Sequence, residues 1–179
     1  VIIYTSGTTG KSKGVMLTHK NIVSNAVSSG GIQEINSNDR FLSVLPLSHT
    51  YENTIGFILP ILRGACVYYI TRPPTPAVLL PALKAVRPTL MLTVPLIIEK
   101  IYKNKVLPSF NKNMLTRALY AIPFLRKKMN LLAGNKLMQT FGGELKFFGI
   151  GGAKLNKTVE IFLREAKFPY AIGYGLTET

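Results

Sequence analysis

An α/β fold, a mostly parallel sheet layered between helices, is what this 179-residue sequence predicts. Two observations carry the prediction. Apolar runs of strand length alternate with longer runs of helical length, joined by short connections. Proline, glycine and Asx residues punctuate the junctions between them. Hydrophobic residues make up 47% of the chain, enough for a substantial core, and no internal repeat divides it.

Val1-Ile2-Ile3-Tyr4 predicts a strand that leads into a phosphate loop over residues 4–14. The run Thr5-Ser6-Gly7-Thr8-Thr9-Gly10-Lys11-Ser12-Lys13-Gly14 cannot pack a core, but it can wrap a polyphosphate. Glycine lets backbone approach an anion closely, and successive N–H groups form a concave anion site. Hydroxyls donate to phosphate oxygens and lysine adds a mobile charge. Strand, glycine loop, helix is the expected layout. Gly10-Lys11-Ser12 matches the end of the pattern GxxxxGK[ST], but that pattern needs glycine where this chain has Thr5.

Thr18 is placed to cap a helix that ends near Gly30-Gly31, with His19 in a packing or capping role in its first turn. Asn36–Asp39 reads as a turn and Phe41–Leu45 as a buried strand. Pro46 stops that strand and leaves His49 near its carboxyl end, where α/β sheets gather ligands. Tyr51–Leu62 predicts a buried helix stopped at Gly64, and Ala65–Ile70 a strand holding Cys66 as a buried, inert thiol. After a proline-rich turn, Ala77–Val86 predicts a helix, Thr89–Val94 a buried strand, and Pro95 to about Val106 another helix.

Residues from about 105 to 141 form a basic helical insert. Its segments Met114–Ala121 and Phe124–Met138 set Arg117, Arg126, Lys127, Lys128 and Lys136 against Leu, Met and Phe. Glu144–Ile150 predicts a strand running into Gly151-Gly152-Ala153, small residues that let a flat ring lie against the backbone. Asn156 should cap a helix with Val159, Phe162 and Leu163 inward, and Phe168–Ile172 forms the last strand. It delivers Gly173-Tyr174-Gly175-Leu176-Thr177-Glu178-Thr179, where an aromatic can stack on a base, a hydroxyl can bind phosphate and a carboxylate can hold Mg²⁺.

The formal charge is +14, from 22 basic and 8 acidic residues, and between Lys100 and Gly143 there are nine basic residues and no acidic one. The bland reading is a solvated face or helices that cover the sheet; amphipathic basic helices can also touch an anionic bilayer. No nucleic-acid partner is expected, because no binding module or stacking pattern accompanies the charge. One cysteine excludes an intramolecular disulfide and fits a reducing compartment. No apolar run reaches membrane-spanning length. The expected location is cytoplasmic, with surface contact to membranes through the insert. The chain opens within a strand without Met and closes on Glu178-Thr179, so it reads as part of a longer enzyme.

Thr-Ser-Gly-Thr-Thr-Gly followed by Lys13-Gly14, then Pro46-Leu47-Ser48-His49, then Gly151-Gly152-Ala153, then Gly173–Thr179, is an order that resembles the adenylate-forming enzymes. Ser12 stands where that family usually has proline. Thr50-Tyr51-Glu52 and the helical insert look like the long-chain acyl-CoA synthetase branch. The resemblance spans nearly all of the chain and implies a partial N-terminal, AMP-binding domain. It implies ATP-dependent activation of a carboxylic acid, a long-chain fatty acid, to an acyl-adenylate and then an acyl-CoA, with release of pyrophosphate and AMP. ATP, Mg²⁺ and coenzyme A are the implied cofactor and co-substrates. Thr5, Ser6, Gly7, Thr8, Thr9, Gly10 and Lys13 would hold the β/γ-phosphates. Gly151, Gly152 and Ala153 would flank adenine, with Tyr174 packed on it and Gly175 beside it. Thr177 would contact the α-phosphate and Glu178 would bind Mg²⁺. His49 and Gly173 would border the acyl pocket. Lys13, His49, Thr177 and Glu178 are the catalytic candidates. The family's ribose-binding aspartate, hinge and C-terminal lysine fall beyond Thr179, so the chain alone is expected to be inactive. The alternatives are adenylation of an aryl, medium-chain or amino acid, a P-loop-like NTPase or kinase, and a non-catalytic nucleotide-binding module.

Overall fold

The computed structural model describes residues 1–6 and 11–178; Gly7, Thr8, Thr9, Gly10 and Thr179 lie outside the described residues. The chain opens with a hairpin. Strands β1 (Ile2–Ser6) and β2 (Ser12–Met16) pair antiparallel, with Thr5 opposite Lys13 and Ser6 opposite Ser12. This corrects the expected strand–loop–helix order, since a second strand intervenes before the helix. The physical reason is local. The connection is of hairpin length, and Gly14 offers β1 a flat surface on which a Cβ would meet Ile2 Cγ2 at 3.1 Å and the Tyr4 ring at 3.5 Å. Helix α1 (His19–Ser29) then starts at Thr18, whose Oγ1 accepts from the Asn21 N–H at 3.1 Å while Asn21 Oδ1 accepts from the Thr18 N–H at 3.0 Å. Gly30 closes the helix.

The remaining strands, β3 (Arg40–Ser43), β4 (Cys66–Tyr69), β5 (Leu90–Thr93), β6 (Phe147–Ile150) and β7 (Tyr170–Ile172), form one sheet. Their spatial order is β4-β3-β5-β6-β7 and every pairing is parallel. Alternation splits the sheet into two faces. Leu42, Met91, Phe148 and Ile150 turn toward the main core, which includes Leu83, Ile98, Phe141, Phe162 and Leu163. Ser43, Leu92 and Gly149 belong to the opposite face.

Helices α3 (Pro76–Val86), α4 (Pro95–Ile101), α5 (Leu107–Phe110), α7 (Pro123–Thr140) and α8 (Lys157–Glu165) contribute side chains to the main core. Asn156 caps α8 by accepting from the Thr158 N–H at 2.9 Å, and Val159, Phe162 and Leu163 are buried, as the sequence predicts. Residues expected as two continuous helices are each interrupted by wide π-helical turns, Glu52–Ile58 leading into α2 (Leu59–Leu62) and Tyr102–Val106 leading into α5. Both wide segments end two residues before a helical proline, Pro60 and Pro108. Proline removes the bond to the carbonyl four residues back and crowds that carbonyl, and a wider turn relieves the crowding.

The insert is helical as expected, over α6 (Met114–Ala121) and α7. It divides its labour. α7 buries Asn130, Gly134 and Leu137, and a Cβ on Gly134 would meet the Ala166 Cβ at 2.6 Å; α6 buries no residue. A polar chain fastens the pair to α8. The Tyr120 hydroxyl donates to Asn130 Oδ1, Asn130 Nδ2 donates to Glu165, and Arg126 pairs with Glu165 through both carboxylate oxygens. Cys66 is exposed, not buried as its apolar neighbours predict, because among the described residues β4 is an edge strand paired with β3 alone.

Candidate functional site

In a parallel sheet all carboxyl ends lie along one edge, and ligands gather where the strand order reverses. Here the chain steps from β3 to β4 in one direction, then crosses back to β5 and continues through β6 and β7 in the other. The reversal therefore falls between β3 and β5. The segments that follow those strands, and β6 and β7 beside them, carry most of the candidate residues.

The turn after β3 holds His49. Its N–H donates to the Pro46 carbonyl at 3.0 Å, and its own carbonyl accepts from Asn53 N–H at 2.9 Å, so the histidine is fixed by backbone at the entry to the helix while its side chain is exposed. The segments after β6 and β7 are stitched to their neighbours. Gly151 N–H donates to the Thr93 carbonyl of β5 at 3.0 Å, and Gly173 N–H donates to the Ile150 carbonyl of β6 at 2.8 Å. Gly152 has φ of +85°, a left-handed conformation that a side chain would strain. The far end of this turn is held by Asn156 N–H donating to Glu99 on α4 at 2.8 Å.

A flat ring does lie on the small residues of β6, and it belongs to the protein. A Cβ on Gly149 would meet Tyr51 Oη at 2.6 Å, one on Gly151 would meet the ring at 3.0 Å, and Gly173 lies 3.9 Å from the same ring on that construction. Tyr51 thus joins the His49 turn to Gly151 and Gly173. Its burial, with the adjacent Glu52 charge, raises its hydroxyl well above the usual tyrosine range.

Glu52 follows Tyr51 and is 1% exposed. Ser43 Oγ, at the end of β3, donates to Glu52 Oε1, and Oε2 is buried with no hydrogen-bond partner among the described residues. The carboxyl folds back over Gly56, where a Cβ would sit 2.7 Å from Glu52 Cδ. Burial pushes the carboxyl up to about 7, against the opposing effect of the Ser43 hydrogen bond. A carboxylate inside an apolar helical run was the sequence signal for this residue, and neither Ser43, Tyr51 nor Glu52 is among the site residues that sequence motifs pick out.

The other predicted residues are placed as follows. Thr5 and Lys13 face one another across the hairpin, and Lys13 is exposed. Gly7, Thr8, Thr9 and Gly10 fall outside the described residues. Gly152 and Ala153 are exposed beyond β6, and Gly151 is buried. Tyr174 is 96% exposed, Gly175 has open space on its Cα face, Thr177 is half-buried and Glu178 is exposed. Tyr174 has the full face of a ring open to a stacking partner. Among the described residues no three His, Cys, Asp or Glu side chains come together as a metal-binding group. Glu178 alone fits a cation that draws its remaining oxygen ligands from phosphate and water, the habit of Mg²⁺.

The family model described as AMP-binding enzyme matches residues 1–179. The peroxisomal long chain acyl-CoA synthetase 7 of Arabidopsis thaliana is 32% identical over 99% of this chain, and long-chain-fatty-acid–CoA ligase 2 of Schizosaccharomyces pombe is 33% identical over the same share. The chain spans 27% and 28% of those two relatives. Among solved structures, ATP-bound MatB from Rhodopseudomonas palustris superposes with a TM-score of 0.71 at 22% identity, over 99% of this chain and 29% of that one. The N-terminal domain of FACL13 from Mycobacterium tuberculosis gives 0.68 at 22%, over 99% of this chain and 36% of that one. These two likenesses establish the fold.

Proposed function

We propose, from the premise that this chain belongs to the AMP-binding enzyme family, that it forms the nucleotide- and acyl-binding part of a long-chain fatty acid–CoA ligase. The observation that carries the reading is that the segments following β3, β6 and β7 meet through Tyr51, Gly151 and Gly173 at the carboxyl edge of one parallel sheet beside its reversal point. The reaction is acid plus ATP giving acyl-adenylate and pyrophosphate, then acyl-adenylate plus the CoA thiol giving thioester and AMP. The first step brings a carboxylate against a polyphosphate, so positioning and charge neutralisation do most of the catalysis.

Each segment has one task. Lys13 and the hydroxyls of the hairpin loop hold the β/γ-phosphates and stabilise the departing pyrophosphate. Gly152 and Ala153, exposed beyond Gly151 and the Tyr51 ring that covers it, give adenine an edge of small residues, and the open ring of Tyr174 stacks on it. Thr177 donates to the α-phosphate. His49 and Gly173 border the acyl pocket, so the substrate carboxylate enters between β3 and β7 with Tyr51 as its neighbour. Glu178 would hold Mg²⁺, which supplies charge neutralisation at the phosphates when bound. The relatives' names favour a long-chain fatty acid as substrate.

Membrane contact belongs to the same reading. α6 and α7 expose Met114, Leu115, Phe124 and Leu132 along with Arg117, Lys127 and Lys128, the composition of a surface that rests on an anionic bilayer. No helix among the described residues is long and apolar enough to cross a membrane.

The test is Glu178→Ala in the complete protein that carries this chain. Fatty-acid-dependent ATP–pyrophosphate exchange should fall by about 10²-fold or more, the scale of losing a charge-stabilising group at a transition state. Exchange near the wild-type rate would remove Glu178 from the site. ATP hydrolysis that ignores added acid would overturn the ligase reading.

A further inference from the structure

We infer that Glu52 is a positioning residue that, anchored to Ser43, holds the Tyr51 ring on Gly149 and Gly151 and so shapes the wall of the acyl pocket. The inference rests on the acyl-pocket reading given above, and it names a residue that the phosphate, adenine and histidine motifs leave out.

Three features of the structure lead to it. First, the carboxyl is 1% exposed, yet one of its oxygens has no hydrogen-bond partner among the described residues. Burying a polar atom without a partner costs about 1–3 kcal/mol, and an apolar residue of similar volume would avoid that cost. Stability alone therefore favours leucine or methionine here. Second, the site is shaped around this side chain. Gly56 leaves the space it occupies, with a would-be Cβ 2.7 Å from Glu52 Cδ and 2.9 Å from Oε1. Ser43, itself 6% exposed, supplies the hydroxyl that donates to it. Third, the bond reaches from the last residue of β3 to the first π-helical turn, on either side of Pro46–Tyr51. It therefore clamps the two ends of the turn that carries His49 and Tyr51.

Wide helical turns have poorer backbone geometry than α-helix and recur at functional sites. The turn beginning at Glu52 has no side-chain cap, since Tyr51 stands at the capping position with helical φ and ψ. The Ser43–Glu52 bond ties that turn to the end of β3 from outside the helix. With it in place, the ring one residue earlier sits against Gly149 on the Ser43 face of the sheet. Without it, the first turn is free to rotate, the ring lifts from β6, and the space beside Gly151 and Gly173 changes shape.

The variants separate positioning from bulk structure. Glu52→Gln keeps the acceptor for Ser43. Glu52→Leu keeps the volume and removes the acceptor. Ser43→Ala removes the donor and serves as the milder change should Glu52→Leu fold poorly. In the complete protein, Glu52→Leu should raise KM for the fatty acid about tenfold, with KM for ATP and kcat within about twofold, because positioning of one substrate is lost. Glu52→Gln should stay within about twofold of wild type throughout. In a Tyr51→Ala background Glu52→Leu should add nothing further, since the ring it positions is gone. Hydrogen exchange over residues 46–58 gives a reading that does not need activity: faster in Glu52→Leu and Ser43→Ala, unchanged in Glu52→Gln. Equal rises in KM for acid and ATP, additive effects with Tyr51→Ala, or unchanged hydrogen exchange would each overturn the inference. Wild-type protein that exchanges with no acid would sink the ligase reading instead, and the hydrogen-exchange comparison would still decide the role of Glu52.

Discussion

Stability at alkaline pH should depend on Glu52, and the size of the effect can be worked out. Its carboxyl is pushed up to about 7 from an ordinary value of 4.5, chiefly by burial. Below about pH 4.5 it is protonated in both folded and unfolded chains and makes no difference between them. As pH rises, the unfolded chain ionises first while the folded chain keeps the proton. Folding therefore loses stability through this window, and the loss is complete above about pH 7. At 1.36 kcal/mol per pKa unit the total is about 3 kcal/mol, undiscounted because the group is almost wholly buried. The groups that feel this charge are Tyr51 and Tyr69; burial and the Glu52 charge raise both, so they stay neutral across the window. Glu52→Gln cannot ionise and should not lose this stability. The assay is thermal unfolding of wild type and Glu52→Gln from pH 5 to 8.5. The variant's melting temperature should gain on wild type as pH rises and level off above about pH 8. Parallel curves across the range would refute the buried, proton-holding carboxyl.

Two further outcomes are expected. Gly149→Ala sets a Cβ 2.6 Å from Tyr51 Oη and 2.7 Å from Leu92 Cδ2, both side-chain tips, so the ring should lift rather than the strand break. Overpacking of about 1–3 kcal/mol, less about 0.5–1 kcal/mol from replacing a strand glycine, leaves a modest fall in melting temperature. KM for the acid should rise, and Tyr51→Phe in the same protein should recover part of both; a large stability loss with unchanged KM would contradict this placement of Tyr51. In liposome co-sedimentation the complete protein should bind vesicles containing anionic lipid, and Phe124→Ser with Lys127→Glu and Lys128→Glu should release it, whereas equal binding to neutral vesicles would rule out an anionic-bilayer surface.

Sequence reading succeeded where the determining physics is local. Thr18 and Asn156 are small polar residues placed before helical runs, and both cap as their chemistry dictates. Gly152 follows β6 with φ of +85°, a conformation that side chains resist, whereas β3 ends at Ser43, short of the expected Leu45 and Pro46. The sheet's parallel order follows from the alternation of strand and helix. The failures share a cause as well. The hairpin needed a partner for β1, and alternation within Ser12–Met16 is weak because both its faces are largely polar or exposed. Cys66 lies in an apolar run, but burial depends on whether a strand is central or at an edge, and that is a property of topology. The wide turns before Pro60 and Pro108 were legible in principle, since a proline inside a helix must disturb the preceding turn.

Tyr51 shows where reading from motifs stops. Small residues after β6 do predict a flat ring against the backbone, and the structure supplies one from the segment after β3. Three segments distant in sequence therefore share one wall: Tyr51, Gly149–Gly151 and Gly173. A motif records which residues recur in one stretch, whereas this wall depends on a phenol ring whose orientation is set by a carboxyl one residue later and a serine eight residues before it. The histidine, phosphate and carboxylate motifs identify the class of chemistry. On the proposed reading, the shape beside Gly151 would bear on which acid is accepted, and Ser43 and Glu52 would set that shape through Tyr51. Substrate preference within this fold is thus expected to change more readily through residues beneath the pocket wall than through the motifs that mark the family.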